Sequence, residues 1–139
     1  MARFALILTA FAACLISAPA DAETIVYHAT LNGAAEVPPT KSQGTGTAQA
    51  TVDTDAKMLS YRVEYSGLSG PATMAHFHGP AGAGENAGIL VPMGKLASPI
   101  DGMARLSDAE IADFKAGKVY VNVHTKQNPA GEIRGQLTK

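Results

Sequence analysis

From Met58 to Ser66 the chain alternates without a break. Leu59, Tyr61, Val63 and Tyr65 fall on one side, and Ser60, Arg62, Glu64 and Ser66 on the other. A period of two over nine residues fits only an extended strand with one buried face, because successive side chains of a strand point to opposite sides. A strand of this kind must pair with a neighbour and cover its apolar side, so the pattern commits the chain to a layered β-structure.

The rest of the sequence agrees. Short strands are expected over Glu23–Leu31, Gly44–Val52, Met74–His78, Lys118–His124 and Glu132–Thr138, with weaker ones at Ile89–Leu96 and Gly102–Leu106. Turns are expected at Asp53–Asp55, Gly67–Thr73 and Asn128–Gly131, and a Gly-rich loop at Ala81–Gly88. Pro38 and Pro39 keep Ala34–Lys41 out of a central strand. One short helix is expected from about Asp108 to Ala116: Ser107 and Glu110 have capping-box spacing, Ile111 and Phe114 share a face, and Gly117 stops it. Many short strands between turns give an all-β fold, a Greek-key β-sandwich or barrel with one helical connection.

The N-terminus reads differently. Arg3 is followed by an apolar run, Phe4–Ile16, and then by small residues through Ala22. This is the pattern of a secretory signal peptide over residues 1–22, with cleavage after Ala22 or, alternatively, after Ala20. The run is shorter than the roughly 20 residues of a membrane span. Cys14 lies inside it without the Leu-like residue that precedes an acylated cysteine. A single domain over 23–139, periplasmic or secreted, is therefore expected, with no membrane span after cleavage. Cys14 is the only cysteine of the chain, so the domain has no disulfide and no thiolate chemistry.

Eleven Lys and Arg against twelve Asp and Glu give a net charge of −1. Without a basic cluster, nucleic acid is not an expected partner. The Gly-rich loop lacks a phosphate-cradling motif. No G-x-S-x-G marks a serine nucleophile, and Asp53-Thr-Asp55 lacks the later ligands of a calcium loop.

Four histidines remain: His28, His76, His78 and His124. His76 and His78, two apart on an expected strand, share a face with Met74, while Ala75 and Phe77 turn inward. His124 shares the polar side of its strand with Tyr120 and Asn122, opposite Val119, Val121 and Val123. If the two strands are neighbours, three imidazoles converge, a donor set that suits copper or zinc. Met74 is a further candidate ligand of soft character, and His28 fits either face of its strand. Asn122, Glu132 or the Tyr120 hydroxyl is expected to orient a ring nitrogen from behind.

Several segments in order resemble the CHRD domain family, which takes its name from the repeated domain of chordin. They are Leu31-Asn-Gly-Ala-Ala-Glu-Val-Pro-Pro39, Gly44-Thr-Gly-Thr-Ala48, Leu59-Ser-Tyr-Arg-Val63 with Gly67-Leu68, and Ala75-His-Phe-His-Gly-Pro80. The last is Val119-Tyr-Val-Asn-Val-His-Thr125 with Asn128-Pro-Ala-Gly-Glu-Ile-Arg-Gly-Gln-Leu137. The resemblance places the family's His-x-His-Gly and Val-His-Thr elements on His76, His78 and His124. It implies a stand-alone exported domain of bacterial type. The growth-factor binding of chordin does not carry over. The architecture is also similar to immunoglobulin domains and to Cu/Zn superoxide dismutase. Four histidines without a cysteine cannot supply the latter's two-metal centre.

The expected function is metal binding at His76, His78 and His124, with copper as the first choice and zinc as the alternative. The role would be binding, buffering, delivery or a mononuclear redox site. The competing expectation is a structural or adhesive module that uses its histidine face to meet a protein or glycan partner and holds no metal.

Overall fold

The computed structural model describes residues 22–139. The expected leader, with Cys14, lies outside the described residues apart from Ala22. Among the described residues there are eight strands: β1 (Thr24–Asn32), β2 (Thr45–Asp53), β3 (Met58–Ser66), β4 (Ala72–His78), β5 (Ile89–Pro92), β6 (Ile100–Arg105), β7 (Tyr120–Thr125) and β8 (Ile133–Gln136). They form one antiparallel sheet in the order β5-β4-β7-β8-β1-β2-β3-β6, rolled into a nearly closed barrel or sandwich. The seam between the halves is thin: β1 meets β8 at Asn32 opposite Arg134, and His28 bridges to Thr138.

β1, β2 and β3 form a meander whose alternation is one-sided. Ile25, Tyr27, Ala29 and Leu31, then Ala48, Ala50 and Val52, then Leu59, Tyr61 and Val63 face the core. Their other faces carry Thr, Gln, Ser, Arg and Glu to solvent. On the opposite half, Ala75 and Phe77 of β4, Val121 and Val123 of β7 and Ile133 of β8 complete the core. Tyr61 meets Phe77 edge-on across the two halves, with ring centroids 5.1 Å apart.

The helix α1 (Asp108–Lys115) is local chemistry realised as expected. Ser107 caps the Glu110 N–H, and the Glu110 carboxylate caps the Ser107 N–H. Its buried residues are Ile111 and Phe114, and the Phe114 ring packs 5.6 Å from Tyr27 and 6.1 Å from Phe77. The helix thereby covers part of the core as the chain crosses from β6 back to β7. No helix among the described residues is long and apolar enough to cross a membrane.

Strand boundaries differ from expectation where punctuation outweighs periodicity. β5 stops at Pro92, which has no N–H for a ladder. β6 begins two residues early at Ile100, where pairing with Val63 extends the β3 edge. β8 ends at Gln136, but the chain continues extended, with Thr138 exchanging backbone hydrogen bonds with His28. The Asp53 carboxylate accepts the Asp55 and Ala56 N–H groups, so that segment is a side-chain-closed turn.

The larger difference lies in β7. Its alternation predicts one wet face, yet all six residues from Tyr120 to Thr125 are buried. Val121 and Val123 face the core, and the polar side is roofed by the loops that follow β1, β4 and β7. Glu36, Ala87 and Pro129 from those loops all reach it.

Candidate metal centre

Strand register brings the histidines together. On the outer side of the sheet, Met74 stands opposite His124, His76 opposite Asn122, and His78 opposite Tyr120. The rows continue onto β8, with Arg134 beside Asn122 and Gln136 beside Tyr120. Two adjacent antiparallel strands with two-residue spacing therefore produce a small grid: His78 and His124 at opposite corners, His76 and Asn122 paired in the middle row, and Arg134 next to Asn122 on β8.

One nitrogen from each of His76, His78 and His124 lies within 4.8 Å of the other two. All three residues are buried, at 6–8% exposure. His76 Nδ1 and His124 Nε2 are 3.1 Å apart. Two nitrogens at that spacing, each about 2.0–2.1 Å from a metal, subtend an angle of about 100°, as a common ion requires. Two donors on one metal can be at most about 4.1 Å apart at those bond lengths, so a shift of less than about 1 Å brings the widest pair into range.

The backbone sets two of the ring tautomers. His78 Nδ1 is 3.1 Å from the Ala87 carbonyl, and His124 Nδ1 is 3.0 Å from the Pro129 carbonyl. A carbonyl only accepts, so each Nδ1 carries the proton and each Nε2 keeps its lone pair. His124 Nε2 faces His76. His78 Nε2 is buried and has no hydrogen-bond partner.

The rings are also held neutral. Burial pushes His76 down to about 4, helped by the neighbouring His124 and His78. His78 and His124 are lowered as well, first by burial and against the pull of their carbonyl partners. Neutral imidazole is the form that ligates.

A layer behind the histidines locks them. The Tyr120 ring stacks on His78, 4.9 Å away and 5° from parallel. The Arg134 guanidinium lies 4.0 Å from the centre of the Tyr120 ring. Arg134 donates to Glu36, to the Glu85 carbonyl and to Asn86 Oδ1, which pins the loop that presents Ala87 to His78. The Tyr120 hydroxyl accepts the Ala87 N–H. Burial raises the Glu36 carboxyl against the opposing pull of Arg134.

The structure thus brings His76, His78 and His124 together and leaves His28 apart. His28 is exposed on β1, opposite Gln49. Met74 is the cross-strand neighbour of His124 but is 43% exposed, at the solvent side of the cluster. The expectation that Glu132 orients a ring is corrected. Its carboxylate accepts from Ser42, Ser69, Thr125 and Asn128 and from no histidine, because Glu132 lies just before the start of β8 and faces the loops after β1 and β3. Tyr120 acts through stacking and through Ala87 rather than by its hydroxyl on a ring nitrogen.

Glu36, Arg134, Ala87 and Pro129 escaped the sequence reading. The two carbonyls leave no trace in residue identity. The Glu36–Arg134 pair joins positions almost a hundred residues apart, and only the seam between β1 and β8 reveals it.

The donor set fits a nitrogen-loving divalent or monovalent transition metal: three neutral imidazoles, two with their outer nitrogens fixed, and one orphaned lone pair in a dry site. No solved structure matches the chain. The family model described as CHRD domain matches residues 27–137, which spans every strand carrying the cluster and its backing layer, and the chain belongs to the CHRD domain family.

Proposed function

We propose that this CHRD domain is an exported metal-binding protein that holds one transition-metal ion through His76, His78 and His124. Copper is the first choice and zinc the alternative. The observation that carries the reading is the buried, unpartnered His78 Nε2 beside nitrogens of two further neutral rings. Leaving such an atom unsatisfied costs about 1–3 kcal/mol, and a metal ion removes that penalty. Copper is preferred because it outranks zinc at nitrogen sites and because an exported domain without thiolates offers little else to distinguish them. The role is binding, buffering or delivery of the ion, or a mononuclear redox site.

A metal-free structural module is the second reading. It has its own support, since His76 and His124 satisfy each other by a direct hydrogen bond. Copper(II) loading of metal-stripped protein, followed by EPR, separates the two. Nitrogen hyperfine structure from several imidazoles at one copper per chain supports the metal site. A spectrum of aqueous or randomly bound copper supports the structural module.

A further inference from the structure

Among the described residues, four buried side-chain polar atoms lack a hydrogen-bond partner: Tyr27 Oη, Glu36 Oε1, His78 Nε2 and Asn122 Oδ1. Three of these belong to the histidine site and the layer around it. Buried polar groups are ordinarily satisfied; the Asn122 amide reaches the Glu36 carboxyl, which leaves His78 Nε2 and Asn122 Oδ1 as the two that indicate a missing partner of particular chemistry. Both are acceptors: an amide oxygen and, given its tautomer, an imidazole lone pair. A metal ion satisfies the imidazole. It does not by itself explain the amide oxygen.

Asn122 occupies the middle of the site. It is cross-strand from His76, two residues from His124, and beside Arg134 on β8. Its amide nitrogen and Glu36 Oε1 both crowd Gly131, where an added Cβ would collide with them. The amide is thereby oriented, with Nδ2 toward Gly131 and Glu36. That leaves Oδ1 buried and needing a hydrogen-bond donor. Water bound to a metal is such a donor: its oxygen ligates and both its O–H groups point away.

Resting on the metal-binding reading above, we infer that the ion at His76, His78 and His124 keeps an exchangeable water as a further ligand, held by Asn122 Oδ1, and that this position accepts small anions. The site is then an open centre rather than a closed one filled by Met74. The histidines are 6–8% exposed and Asn122 2%, which limits the exogenous ligand to a few atoms. The positive charge of Arg134 acts on His78 and His124, and this favours a negative one.

The test is an azide titration of the copper(II)-loaded protein, followed by EPR and by the azide-to-copper absorption band. Pulsed EPR in D2O would accompany it. The expected result is a saturable spectral change at one azide per copper, and deuterium coupling that azide abolishes. In Asn122→Ala the coupling should change while copper still binds; Asn122→Asp, which keeps the acceptor, should retain it. A protein that takes up no copper overturns both this inference and the metal-binding reading. One that takes up copper but shows neither azide response nor exchangeable deuterium overturns this inference alone. Coupling unchanged in Asn122→Ala removes Asn122 from the role. Should that variant fail to fold, the wild-type azide and deuterium results still decide whether the position is open.

Discussion

Glu132 is the buried carboxylate that ties the loops after β1, β3 and β7 together. Its side chain is fully buried. One oxygen accepts from the Ser42 hydroxyl (2.6 Å) and the Ser69 N–H (2.7 Å). The other accepts from Ser69 Oγ, Thr125 Oγ1 and Asn128 Nδ2. Burial pushes the carboxyl up, but the bonds from Ser42, Ser69 and Thr125 outweigh it and hold the group at about 2 instead of 4.5. At 1.36 kcal/mol per pKa unit, that difference is worth about 3 kcal/mol of stability. Because the folded value lies below the unfolded one, the contribution is complete above about pH 4.5 and fades as pH falls toward 2.

Glu132→Gln keeps the shape and removes the charge. The new NH2 cannot face the Ser69 backbone N–H, so it takes the other side, where the Ser69 and Thr125 hydroxyls must rotate and the Asn128 amide must flip to accept from it. The expected loss in urea denaturation is about 3 kcal/mol at pH 7, shrinking to a fraction of that at pH 3. Metal affinity should stay within about twofold of wild type, since the Glu132 carboxylate accepts from no histidine. A variant within about 0.5 kcal/mol of wild type at pH 7 would show that the buried carboxylate contributes no such stability. So would a deficit that does not change between pH 7 and pH 3.

Three other outcomes follow from the same structure. Gly131→Ala forces a side chain into a backbone with φ of +132° and against Glu36 and Asn122; it should lose at least about 2 kcal/mol by chemical denaturation. His76 is held at about 4 rather than 6.5 by burial, then by His124 and His78. The metal-free protein should therefore lose up to about 3 kcal/mol as pH falls from 6.5 toward 4, with a flatter profile in His76→Ala. Expression of the full chain in a bacterium should place the protein outside the cytoplasm. Mass spectrometry should then find Glu23, or alternatively Asp21, at its N-terminus; an intact Met1 start in the extracytoplasmic fraction would remove the signal peptide from the account.

What was legible in the sequence follows the physics of each element. Met58–Ser66 was readable to the residue, because one face is wet and one dry and nothing else covers it. The helix was readable because its cap is local chemistry. His76 and His78 were known to share a face from spacing alone. Their meeting with His124 needed β4 and β7 to pair across 48 residues of sequence, which no short-range pattern states. The burial of the outer side of β7 was illegible, because irregular loops form the roof and loops carry no periodicity. The carbonyls of Ala87 and Pro129, which fix two tautomers, belong to the backbone and would be the same for almost any residue there. Glu132 was misplaced for a related reason: alternation assigns it a side of the strand, but it lies just outside β8, where the turn and not the pleat aims the side chain.

Three histidines on two paired strands, on the reading proposed above, hold one metal ion. Calorimetric titration of copper and zinc into metal-stripped protein, compared across His76→Ala, His78→Ala, His124→Ala and His28→Ala, tests it most directly. One ion per chain is expected. Affinity should fall by more than about 100-fold in each of the first three variants, since loss of an outer-layer contact alone costs 10–100-fold, while His28→Ala should leave it unchanged. Equal affinity in wild type and in all three site variants, or no stoichiometric binding at all, would contradict it.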